Sequence, residues 1–184
     1  MKKLIFLLSF FVLSIFGKSQ TITYSGYVSY YNPKTLIPDS VIWICSSHTK
    51  AAGREAGFHS TGNRPNLSKD YAHSGYDIGH NCDASDENRS KEDEYNSFDF
   101  ANTFPQLPQL NRITWLALEN FCRKISPVKV KVSWSDIKCK IGADSVTVPL
   151  FCIKEIWYQG KYEKYVFPNQ DTVIKHDFTY YKLK

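Results

Sequence analysis

The apolar period of the chain changes across Ser126-Pro127, and this change constrains the fold more than any other feature of the sequence. Upstream, Trp115, Leu118 and Cys122 recur at spacings of three and four, with Ile113, Leu116 and Phe121 widening the apolar coverage; this predicts a helix from about Asn111 to Lys124. Downstream, Val128-Lys129-Val130-Lys131-Val132 alternates cleanly, the pattern of a strand with one wet face. Ser126-Pro127 separates the two because the residue before a proline is pushed out of the helical region. Other runs supply more strand. Val41–Cys45 is compact, apolar and β-branched, with Ser46 to His48 as its exposed end. Thr21 to Tyr31 reads as one strand closed by the turn Asn32-Pro33-Lys34, and Phe98 to Asn102 as a strand closed by Pro105. Ser145 to Ile153, Ile156 to Tyr158 and Tyr162 to Phe167 complete the set. Thr49 to Tyr71 has recurring Gly, Asn and Pro without a period and reads as an irregular excursion, and Ser85 to Glu94 as a surface helix opened by Ser85 or Asp86. Between Pro105 and Asn111 the prolines argue against a helix interior. No internal repeat or composition break divides the chain, so the expectation is one α+β domain over residues 20–184, with a central mixed or antiparallel sheet and flanking helices.

Residues 1–19 read as an export signal. Met1-Lys2-Lys3 is basic, Leu4 to Phe16 is an apolar run broken by Ser9 and Ser14, and Gly17-Lys18-Ser19 places small residues at the cleavage positions, with the cut after Ser19. The run is shorter than the roughly 20 residues that span a bilayer, so no stable membrane anchor is expected and the mature chain is read as secreted or periplasmic. Losing Lys2, Lys3 and Lys18 lowers the formal charge of +5 by three, to +2, so overall basicity is poor support for binding a polyanion. Distribution says more: Asp83 to Asp99 is acidic, whereas Arg123, Lys124, Lys129, Lys131, Lys138 and Lys140 cluster after Asn120, either as a phosphate-attracting face or as a solvated surface. Cys45, Cys82, Cys122, Cys139 and Cys152 all survive processing into a compartment where disulfides form. Five is odd, none makes a CxxC pair, and their spacing does not suit structural zinc.

The chemistry-bearing residues lie in three short segments, Asp77-Ile78-Gly79-His80, Asn102 to Gln106, and Leu110-Asn111-Arg112 to Arg123. An imidazole has a pKa near 6.5 and can take a proton from attacking water, although a lone His is more often structural. Asn111 offers a carbonyl oxygen to a hard, hydrated cation; it also stands where an N-cap would start the helix, and the two readings can coexist. Asn111, Trp115, Glu119 and Arg123 are four apart and fall on one drifting stripe, which suggests a polar site along the helix.

In order and spacing, these segments resemble the DNA/RNA non-specific endonucleases of the ββα-metal superfamily, which includes endonuclease G. The family hallmark Asp-Arg-Gly-His is matched by Asp77, Gly79 and His80, and the later Asn that opens a helix by Asn111, with Pro105-Gln106 upstream and Trp115, Leu118-Glu119 and Arg123 within. The resemblance implies a Mg²⁺-dependent endonuclease, with Mn²⁺ as an alternative ion, that cleaves DNA, and RNA as a second substrate, leaving 5′-phosphates. It implies His80 as general base and Asn111 as the direct metal ligand. Glu119 would hold metal-bound water, Asn102 would support the site, and Arg123 would contact the phosphate. Tyr76 and Arg64 are further candidates for substrate contact, and an inhibitor protein is a candidate partner. Two departures stand out: Ile78 replaces the hallmark arginine, and Ile113 replaces a glycine common in relatives. The rival is a weak or inactive nucleic-acid-binding protein that keeps the nuclease fold. His48, His59, His73 and His176 have no matched role, with His48 and His73 kept as candidates for the pocket.

Overall fold

The computed structural model describes residues 19–46, 57–86, 90–170 and 175–184. The expected export signal, apart from Ser19, lies outside these residues, as do Ser47 and His48; among the described residues, no helix is long and apolar enough to cross a membrane.

Six antiparallel strands form the main sheet: β1 (Gln20–Thr23), β2 (Tyr27–Asn32), β3 (Ile37–Cys45), β6 (Val128–Ile141), β7 (Val146–Tyr158) and β8 (Lys161–Pro168), in the order β1-β2-β3-β6-β7-β8. The alternation at Val128–Val132 is the register of its centre. Val128, Val130 and Val132 are fully buried opposite Cys45, Trp43 and Val41, while Lys129 and Lys131 turn to the other face. The strand expected over Thr21–Tyr31 is two strands, because Ser25-Gly26 turns the chain and the Tyr24 amide donates to the Tyr27 carbonyl at 2.9 Å. A short helix α1 (Ser68–Tyr71) ends the excursion.

A second, two-stranded sheet pairs β4 (Asp77–His80) with β5 (Thr103–Gln106). Three local expectations are corrected here. The acidic helix α2 spans Lys91–Ser97 and is capped by Ser90, whose Oγ accepts from the Asp93 amide at 3.0 Å. Asp86, expected near its start, is instead drawn inward by Trp43 Nε1 at 3.0 Å and by Arg123 at 3.1 Å. Phe100–Asn102 is a 3-10 turn rather than a strand, because Asp99 Oδ1 accepts from the Ala101 amide at 2.8 Å. Pro105 then lies inside β5 rather than ending it, which a two-stranded sheet tolerates because each strand is an edge.

The long helix continues from β5. Helical winding begins at Pro108, where the missing N–H is one the first turn would leave unused anyway. Leu110–Trp115 is a wide π-helical turn, and α3 (Leu116–Lys124) follows. Asn111 is therefore no N-cap: its own amide already donates to the Leu107 carbonyl at 2.9 Å. The wide turn also breaks the expected stripe. Trp115 is 1% exposed in the core, Glu119 is buried against the sheet, and Ile113 and Leu116 face solvent.

A buried cation joins helix to sheet. Lys154 of β7 has no exposed surface; its Nζ lies 3.9 Å from the Trp115 ring centroid, 5.9 Å from that of Trp43, and 3.3 Å from Glu119 Oε1. Burial raises the Glu119 carboxyl from its ordinary 4.5 to about 8, although Lys154 pulls it down. None of the five cysteines is in a disulfide. Four are buried, and burial pushes the Cys122 and Cys152 thiols up to about 12.

Lys154→Ala is expected to lower unfolding stability by about 3 kcal/mol or more, read from urea midpoints, whereas the double change Lys154→Met with Glu119→Leu should recover most of it. Because the unfolded chain ionises Glu119 first, this group's contribution falls as pH rises from about 4.5 to about 8. Urea unfolding at pH 5 and pH 8 should show a smaller pH loss for Glu119→Gln than for the parent chain.

Candidate active site

A cleft of about 460 Å³ opens between β4, α1 and the start of the long helix, and it brings together residues far apart in sequence. Tyr76, Asp77, Ile78 and His80 line it from β4, Asn111 and Arg112 from the helix, and Phe58 and Tyr71 from the excursion. On a strand, side chains two apart share a face, so Ile78 and His80 look the same way and an arginine at position 78 would project beside the imidazole. Ile78 instead packs, half-buried, against the apolar core, which explains how the departure is accommodated.

The His80 ring is held by aromatic packing. Phe98 meets it edge-on at 4.8 Å and Phe58 lies tilted at 5.0 Å. Gly79 provides the close approach across the pair, since a Cβ there would come within 1.9 Å of Gln106 Oε1. Just beyond, Asn102 is fully buried and fixes the chain leaving His80. Its Nδ2 donates to the carbonyls of Cys82 and Ser97, each at 2.8 Å, and its Oδ1 accepts from the Cys82 amide at 2.9 Å.

Asp77 organises the opposite wall. One carboxylate oxygen accepts from Asn111 Nδ2 at 3.0 Å, and the pair of oxygens accepts a fork from Arg112, Nε at 2.8 Å and Nη2 at 2.7 Å. A carboxylate only accepts, so the amide nitrogen of Asn111 must face it, and the Asn111 oxygen is turned the other way. Among the described residues, no group of three or more His, Cys, Asp or Glu side chains is placed to hold a metal. One amide oxygen beside a carboxylate nevertheless fits a hard cation that keeps most of its water, as Mg²⁺ does. Neither the bracing role of Asp77 nor the place of Arg112 in the cleft was read from the sequence. The signal was the mere presence of Asp77 in the hallmark and of Arg112 after Asn111.

The other candidates lie elsewhere. Glu119 is sequestered with Lys154. Arg123, about 18 Å along the helix from Asn111 at 1.5 Å per residue, is ion-paired with Asp83 and Asp86 and donates to Asn120 Oδ1 at 2.9 Å. Arg64 is committed to Asp99, with Thr61 at 2.7 Å and the Tyr31 ring beneath it, and does not line the cleft. Tyr76 does line it, with Lys138 over its ring at 5.3 Å and its hydroxyl 3.7 Å from Cys139 Sγ. His59 stacks on Tyr95 at 3.9 Å, and His73 is exposed in a left-handed turn outside the cleft.

Comparison with known proteins agrees with this geometry. The chain superimposes on the crystal structure of an EndoG/EndoGI complex, described as showing the mechanism of EndoG inhibition, with a TM-score of 0.80 and 25% identity over 91% of this chain and 81% of that one. A nuclease of Nostoc sp. (strain PCC 7120 / SAG 25.82 / UTEX 2576) is 42% identical over 55 residues, a stretch covering 30% of this chain and 20% of that nuclease. The fold is thus the ββα-metal fold, in which β4, β5 and the long helix form the ββα unit. The family model for DNA/RNA non-specific endonucleases matches residues 11–183, and to that family the chain belongs.

Proposed function

We propose that the chain is an exported, metal-dependent endonuclease that hydrolyses DNA, and RNA by the same chemistry, without base-sequence recognition. The observation that carries this is the convergence of His80 and Asn111 on one cleft, with Asp77 turning the Asn111 oxygen away from itself. His80 accepts the proton as water attacks phosphorus, the bond to the 3′ oxygen breaks, and the proton passes to that leaving oxygen, so the products carry 5′-phosphate and 3′-hydroxyl ends. Asn111 is the residue that would hold Mg²⁺, or Mn²⁺ with the same octahedral demand for oxygen. When bound, such an ion supplies positive charge to the phosphate oxygens and the leaving oxygen.

The surrounding residues position these groups. Phe58 and Phe98 hold the imidazole, Asn102 fixes the chain behind it, and Asp77 orients Asn111. Arg112 is the arginine that lines the cleft, and because its fork is turned to Asp77 it replaces only part of the phosphate contact that Ile78 gives up. Arg123 and Glu119 brace the helix from its far half through Asp83, Asp86 and Lys154, a supporting role. Tyr76 is placed for contact with a sugar or base at the rim. The basic, apolar start of the sequence supports export by cleavage near Ser19. An inhibitor protein belongs to the same reading, since the matched EndoG is held by one.

Purified chain incubated with supercoiled plasmid and with RNA should cleave both in Mg²⁺ and neither in EDTA, and His80→Ala should slow cleavage by about 10²- to 10⁴-fold. Binding without metal-dependent cleavage would instead identify an inactive binding protein of the same fold. Ile78→Arg should raise kcat/KM about tenfold, equal to about 1.4 kcal/mol of transition-state stabilisation. An unchanged rate would mean that Arg112 already does that work.

A further inference from the structure

The reverse face of the main sheet, opposite the long helix, carries an aromatic and basic patch with no part in the cleft. Its register is fixed: Lys129 of β6 lies opposite Trp157 of β7, which lies opposite Tyr162 of β8. Their cross-strand partners one step along, Val130 and Ile156, are buried, so the patch residues point away from the core. The Trp157 and Tyr162 rings lie 5.2 Å apart at 39°, Lys129 Nζ stands 5.5 Å from the Trp157 ring, and Tyr162 is 52% exposed. Gln159 and Gly160, both at positive φ, make the tight two-residue turn that joins β7 to β8 and hold the rings at its base. Around this turn is a depression of about 340 Å³ lined by Trp157 to Tyr162.

Charge selects the occupant. Lys129, Lys131 and Lys164 lie on this face and Lys161 at the turn, whereas the acid among them, Glu155, is engaged by Lys131 at 3.7 Å and by the Tyr162 hydroxyl at 2.6 Å. Adjacent tilted rings, Tyr162 exposed and Trp157 half-buried, within a lysine field suit a polyanion that also carries flat bases. We propose that this patch is a second nucleic-acid site, at which single-stranded polynucleotide stacks a base on Trp157 and Tyr162 while the lysines hold its phosphates. It extends the nuclease reading by giving the enzyme a tether on the face away from the cleft, so that long substrates are retained and short ones are not.

The test uses the full mature chain in EDTA, where no cleavage occurs, titrated with fluorescein-labelled oligothymidylate. Trp157→Ala with Tyr162→Ala should weaken binding about 5- to 150-fold, the range for loss of one stacked base. Oligothymidylate should also quench tryptophan emission, and Trp157→Phe should remove most of the quenching while largely keeping affinity, since Trp43 and Trp115 are buried and Trp134, half-buried, packs against the core on the other face of the sheet. In Mg²⁺, the double variant should raise KM for long single strands and leave hydrolysis of bis(p-nitrophenyl) phosphate unchanged. If the chain cleaves nothing, the binding arms still decide the proposal. Unchanged affinity, equal displacement by heparin of matched charge, or self-association of the parent chain abolished by the double variant would each overturn it. Should that variant fail to fold, Lys129→Glu with Lys164→Glu replaces it and should weaken binding and flatten its salt dependence.

Discussion

The ammonium of Lys154 is fully buried against Trp115 and beside Glu119, and the placement of the long helix on the sheet depends on it. A buried charge is tolerable only where its desolvation is offset, and here a ring face and the Glu119 carboxyl group, which accepts from the ammonium, do so together. Both partners belong to the helix and the lysine to the central part of the sheet, so the pair sets how the helix is rotated and how far along β7 it rests. Asn111 begins one turn before Trp115, and its entry into the cleft follows from that rotation. At the far end, Arg123 ties the same helix to Asp83 and Asp86, a few residues beyond His80. The two walls of the cleft are thus held in register by polar contacts, Lys154 with Glu119 and Arg123 with Asp83 and Asp86, that themselves lie outside it.

Within the cleft, polar pinning and aromatic packing divide the work. The wall that carries Asn111 is fixed by hydrogen bonds that leave one outcome for its amide, because Asp77 can only accept. The wall that carries His80 is fixed by Phe58 and Phe98, which hold the imidazole by ring contacts. The change to Ile78 fits this division: it adds to apolar packing beneath the site and leaves the cleft's guanidinium to Arg112. The cysteines fit it too, since four of the five are buried thiols outside any disulfide that behave as small apolar side chains.

Much of the site was legible because its chemistry sits in short segments with strong local character. Asp77-Ile78-Gly79-His80 and Asn111 are marked by residue type and interval, and β4 carries the first of these segments as a short strand. The reading of Asn111, Glu119 and Arg123 as one stripe failed because the spacing assumed an unbroken α-helix, and the π-helical turn at Leu110–Trp115 changes which residues share a face. Lys154 carried a readable signal that went unused: it shares parity with Cys152 and Ile156 in an apolar run, which places a lysine on a buried face. The caps were misplaced where a side chain had a stronger distant partner, as Asp86 has in Trp43 and Arg123.

By itself, the sequence determined the α+β class, the strand alternation at Val128–Val132 and the helix that precedes it, and it singled out His80 and Asn111 as the candidate base and candidate metal ligand. These follow from periods and residue types whose physics is local. The tertiary structure alone decided that Asp77 reaches across to Asn111 and Arg112, that Arg64, Glu119 and Arg123 are engaged elsewhere, and that Lys129, Trp157 and Tyr162 meet on the reverse face. Each of those outcomes depends on which strand pairs with which and on how the helix is rotated, and both are set by contacts between residues tens of positions apart.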